Sequence, residues 1–250
     1  GVNAGNSIAS GGNYNVAVGD EAGTAITTGD ANTFVGYTAG DATTTAESNV
    51  AIGKGSLSTN ILGSKSVAIG AEALATQNPA TAVDMYNVAV GHDAGYAITT
   101  GIQNTFIGGQ AGDANTTANN NTGVGKSSLS ATTTGGENTA VGTNALKVNT
   151  TASNNTAVGT NALTANTTGA QNTAVGTSAG AAITTAVNTV VMGYQAGDAI
   201  TTGNNNVAIG TTALSANTTG ASNTALGHAA LLANTTAADN TAVGFSALGA

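Results

Sequence analysis

The sequence predicts an all-β fold, a parallel β-solenoid or β-roll with 17-residue coils, about 14 of them over residues 1–250. Three observations predict it. A short phrase, Asn-(Val/Thr)-Ala-(Val/Ile)-Gly, recurs, and its Gly falls at 19, 36, 53, 70, 91, 108, 125, 142, 159, 176, 193, 210, 227 and 244. Twelve of the thirteen spacings are 17 residues and one is 21. The three residues before each Gly are β-branched, small and apolar in turn, which suits a short strand with period-two alternation. Large side chains are scarce, with 3 Phe, 5 Tyr and no Trp, so the chain cannot fill one broad core and fits thin coils instead.

Each column of the repeat has a physical reading. The position before the anchor Gly is always apolar, as at Val141, Val158, Val175, Ile209 and Val243, and is expected to be the buried ladder. The position four before it is Asn in twelve coils, including Asn138, Asn155 and Asn172, with Ser66 and Thr189 as replacements. This Asn and the anchors Gly142, Gly159 and Gly176 read as turn ladders, because both residue types accept left-handed backbone. The position two before Gly is mostly Ala, with Phe34, Phe106, Gly123 and Val191 as exceptions. Alternation sends it to the opposite face, so Ala140, Ala157, Ala174, Ala208 and Ala225 are expected to form an outward stripe where subunits touch.

Four residues after the anchor stands Leu in eight coils and Gly in six. In Gly-type coils Ile often follows three residues later, at 26, 98, 183 and 200, whereas Leu-type coils usually carry Asn there. This reads as an exchange of volume, with Ile filling the space that Leu would occupy. A Thr-Thr pair follows in most coils. The single irregular spacing carries an insertion loop, 77–86, with the only Pro, and it is expected to bulge outward at a turn. The whole of 1–250 reads as a single repeat array, a window of a longer fibre.

Composition narrows the function. The net charge is −8, with only 4 Lys+Arg, so nucleic acid is excluded as a partner for want of clustered cations. There is no apolar run of about 20 residues, so no membrane span is expected within this segment. With no Cys, disulfide scaffolds and thiolate metal sites are absent. His92 and His228 lie eight coils apart and cannot share a metal. Asp41, Asp113 and Asp198 are dispersed, and clustered carboxylates for acid–base work are missing. No enzyme activity, cofactor or metal is expected. Asn-Thr-Thr triplets at Asn115, Asn149, Asn166, Asn217 and Asn234 match the glycosylation pattern but read as turn Asn followed by strand Thr.

The phrases Asn49-Val50-Ala51-Ile52-Gly53, Ser66-Val67-Ala68-Ile69-Gly70 and Asn206-Val207-Ala208-Ile209-Gly210 resemble the head repeats of trimeric autotransporter adhesins. The form Asn155-Thr156-Ala157-Val158-Gly159-Thr160-Asn161-Ala162-Leu163 is similar to repeats of bacteriophage tail fibres and large bacterial surface proteins. The resemblance implies a left-handed β-roll, a homotrimer, and an adhesive or spacing role outside the cell, on a cell surface or a virion, with a host-surface receptor or glycan as the further partner. Adhesin, phage fibre and other filament all stay open. A second class is an ice-binding solenoid, since regular Thr ladders order water. Only one Thr of each adjacent pair can face outward, which weakens that reading.

Overall fold

In the computed structural model, which describes residues 1–249, the chain is an all-β parallel β-solenoid with coils of about 17 residues. It divides into two compact units, Gly1–Gly123 and one from Val124 onward. The strands of the first unit are β1 (Val16–Val18), β2 (Thr33–Val35), β3 (Val50–Ile52), β4 (Gly63–Ser64), β5 (Val67–Ile69), β6 (Val83–Asp84), β7 (Val88–Val90) and β8 (Thr105–Ile107). After β9 (Thr122–Val124) come β10 (Thr139–Val141), β11 (Thr156–Val158), β12 (Thr173–Val175), β13 (Val190–Met192), β14 (Val207–Ile209), β15 (Thr224–Leu226) and β16 (Thr241–Val243). Apart from β4 and β6, each strand is the triplet before an anchor Gly. The triplets pair in parallel and in register, so Ala140 faces Ala157 and Ala157 faces Ala174.

The anchor glycines stand on neighbouring coils because nothing larger fits. Each has φ near +130°, a conformation closed to side chains. A Cβ at Gly142 would lie 2.6 Å from the carbonyl carbon and oxygen of Gly159. Gly142→Ala therefore combines strained backbone with a backbone clash. It is expected to lower stability by about 3 kcal/mol, measured by urea unfolding.

The alternation within each strand is as expected, but its direction is the reverse of the expectation. The middle residues are inside: Ala140, Ala157, Ala174 and Ala208 are 0% exposed, as is Ala225. The position before Gly points outward: Val141, Val158 and Val243 are exposed, and Val175 and Ile209 are half-buried. Val141, Val158, Val175, Ile209 and Val243 are thus not the buried ladder. Ala140, Ala157, Ala174, Ala208 and Ala225 are enclosed within their own chain and cannot touch another subunit. Period-two alternation separates two faces without saying which is inside. The space within the coil decides it.

That space holds one large side chain per coil. In the coils of Leu146 and Leu163, where Leu stands four after Gly, the middle strand residue is Ala and the residue three further on is Asn. Where Gly takes the Leu place in β2 and β8 coils, Phe34 and Phe106 occupy the middle, and Gly40 and Gly112 lie directly against their rings. Where Gly is paired with a small or β-branched middle residue, Ile26, Ile98, Ile183 and Ile200 supply the bulk. All of these Phe and Ile side chains, together with Leu146 and Leu163, are fully buried. The exchange of Leu for Ile holds, and Phe is a third solution to the same volume.

Polar ladders close the corners. Asn155 donates its side-chain N–H to the Gly169 carbonyl (3.0 Å), and its Oδ1 accepts from the Asn172 backbone N–H (2.9 Å). Asn138 and Asn172 donate to the Ala152 and Ala186 carbonyls in the same way. A buried carboxamide thus satisfies one backbone group in its own coil and one in the next. Where Ser66 replaces Asn, Gln77 supplies the missing amide, accepting from the Asn87 side chain (3.0 Å) and donating to Asn60 Oδ1 (3.3 Å).

The insertion at 77–86 is more than an outward bulge. Its second half returns as β6, which pairs with β4 in parallel, and Met85 is fully buried. Lys65 Nζ meets Asp84 Oδ2 at 2.6 Å across this small sheet.

Candidate functional site

The outer face of the triplet strands is a repeated surface in each unit. The β-branched residue three before Gly is half-buried in the interior strands, and the residue before Gly stands further out. Val158 is 36% exposed and Leu226 is 44% exposed. Ile52, Ile69 and Ile107 in the first unit, and Val141 and Met192 in the second, share this column and are exposed as well. Each triplet strand therefore turns an aliphatic side chain outward, exposed in some coils and half-buried in others, while its middle residue lies inside. Isolated surface apolar residues are ordinary, and their alignment in a column makes this face a candidate contact surface.

The signal for this surface is present in the sequence. Phe34 and Phe106 sit in the middle column, and both are followed six residues later by Gly rather than Leu. That pairing links the middle column to the core and sends its neighbours outward.

The Thr pairs run along a different edge. The first hydroxyl of each pair is engaged: Thr150 Oγ1 donates to the Thr167 carbonyl (3.2 Å), and Thr167 donates to that of Thr184 (3.1 Å). Thr151, Thr168 and Thr185 are exposed. One free-facing Thr per coil is a single file, not a two-rank array.

The triplets at Asn115, Asn149, Asn166 and Asn217 are fully buried at their Asn, which is inaccessible to modification in the folded chain. Asn166 Oδ1 has no hydrogen-bond partner, and the corresponding place in the next coil is Ile183, which cannot donate.

Asp41, Asp113 and Asp198 share a column five after the anchor Gly. Burial pushes all three carboxyls above the usual carboxylate range, and Glu21 adds to the effect at Asp41 as Asp93 does at Asp113. The ionised form is thus disfavoured in the folded state. These groups contribute stability when protonated, and it is lost as pH rises from the ordinary carboxylate value through the raised folded value. Asp113→Asn is expected to raise the melting temperature at neutral pH and to flatten its dependence on pH just above the ordinary carboxylate value, measured by thermal melts across a pH series.

Among the described residues no group of three or more His, Asp or Glu is placed to hold a metal ion. Among the described residues no helix is long and apolar enough to cross a membrane. Comparisons with family models, curated proteins and solved structures found no match for this chain.

Proposed function

We propose that this chain is a non-catalytic structural and adhesive segment of an extracellular fibre, the head or shaft of a bacterial surface adhesin or a phage tail fibre. In this reading it works as a homotrimer on a cell surface or virion, attaching to a host-surface receptor or glycan. The observation that carries the assembly is the outward column of Val, Ile, Leu and Met, one per coil, beside a β-branched column. Three copies packed through these columns would remove that apolar surface from water at about 25 cal/mol per Å². The contact surface is therefore the Val158 column and not the Ala157 column. The in-register repeat supports a fibre, because within each unit successive coils present the same face in the same direction. Adhesin and phage fibre share this chemistry.

Light scattering and native mass measurement of the purified chain test the assembly. The expected mass is three times 23.7 kDa at micromolar concentration. The Val158→Asp variant is expected to stay folded and to shift toward the monomer, since three carboxylates would meet on the shared face. A wild-type chain that stays folded and monomeric would overturn the trimer. A thermal-hysteresis assay on that monomer would then test ice binding.

A further inference from the structure

We propose that Met192 is an oxidation site on the candidate contact face, and that its sulfoxide weakens the association of copies. The proposal rests on the assembly reading above. The chain has two methionines, and the fold treats them differently. Met85 is 0% exposed within the returning segment 83–86. Met192 closes β13 in the outward column and is 38% exposed. Val175 and Ile209 stand in register on its two sides. The residue before it, Val191, is fully buried, so alternation turns Met192 away from the coil interior. A thioether thus takes one place in a column that otherwise carries only Val, Ile and Leu.

Of the side chains in this column, that one alone becomes polar under a mild two-electron oxidant. The oxidant is a hydroperoxide, in the simplest case hydrogen peroxide. The sulfur lone pair attacks one peroxide oxygen, and the S–O bond forms as the O–O bond breaks. The departing hydroxide takes the proton of the transferred oxygen and leaves as water. Sulfur loses two electrons and the peroxide gains them. In a single chain the new oxygen lies in water and disturbs no core packing. Between copies packed through this column it would lose that water among aliphatic side chains, which is costly. Association and oxidation therefore oppose each other by linkage: a packed copy shields its sulfur, and an oxidised copy packs less well. Reduction by two electrons and two protons restores the thioether and releases water.

Treatment of the intact chain with hydrogen peroxide, read by peptide mass mapping and by light scattering, tests the proposal. In solution too dilute for association, Met192 is expected to gain one oxygen about tenfold faster than Met85 or more, with circular dichroism unchanged. Its oxidation should slow as protein concentration rises. Chain carrying the Met192 sulfoxide is expected to associate about tenfold more weakly, and sulfoxide reductases for both epimers should reverse the change. Met85→Leu should keep the whole response. Met192→Leu should lose it, its own association being the same before and after oxidant. Equal oxidation of Met85 and Met192 in the folded chain, or a Met192 sulfoxide that associates like the parent, would overturn the proposal while the trimer stands. An untreated chain that stays monomeric at micromolar concentration would overturn both.

Discussion

Phe106→Ala is expected to destabilise the chain by about 3–5 kcal/mol, and adding Gly112→Leu to restore most of the loss. Phe106 is the one large side chain of its coil and is fully buried. Truncating it empties the interior, and the neighbours are too small to collapse into the space. Gly112→Leu alone is expected to be harmful too, because a Cβ there falls on the Phe106 ring, 2.6 Å from one ring carbon. The double variant reproduces the combination already present at Ala140, Leu146 and Asn149, since Asn115 is unchanged. The conformation at the site also allows it: Gly112 has φ +58° and Leu146 has φ +50°. Leu in this region carries a cost of about 1–2 kcal/mol, so recovery should be incomplete. Denaturant unfolding of the two single variants and the double variant gives the coupling. Additive losses would show that the two positions do not share one space.

Ala157→Asp is expected to unfold its part of the solenoid at neutral pH. Ala157 is 0% exposed and faces Ala140 and Ala174 on the two neighbouring strands. A carboxylate there has neither room nor partner, and an isolated buried charge costs several kcal/mol even when its protonation shifts. The same substitution one residue later, Val158→Asp, is expected to change the stability of a single chain by about 0.5 kcal/mol or little more. Circular dichroism melts of the two variants, compared at a concentration low enough to give monomer, measure the difference. Equal effects would mean that the strand does not separate inside from outside at these positions.

The period, the strand positions and the turn glycines were legible because each is written into every coil. Gly142 can only be Gly at its φ and its distance from Gly159, and the same backbone conformation repeats at every anchor. The alternation of Val158 with Ala157 was equally legible, but its sense was not. Hydrophobicity favours putting Val inside and Ala outside, and packing opposes it. Leu163 already fills the coil, so only Ala fits beside it. The exceptions at Phe34 and Phe106 held the decisive information, since each coincides with loss of Leu in its coil. The return of 83–86 into the fold, with Met85 buried, was not legible, because a four-residue insertion interrupts the periodicity that located every other strand.

The central claim is that each strand turns its middle residue into the coil and the aliphatic residue before the anchor Gly outward to meet other copies. Thiol labelling tests it directly, because the chain has no Cys and a single introduced thiol reports alone. In the Ala157→Cys variant the thiol is expected to resist labelling until the chain unfolds, at every protein concentration. In the Val158→Cys variant it is expected to react readily in dilute solution and to become protected as concentration rises and copies associate. A Val158→Cys thiol that is protected in folded monomer, with an Ala157→Cys thiol that labels freely, would contradict the account.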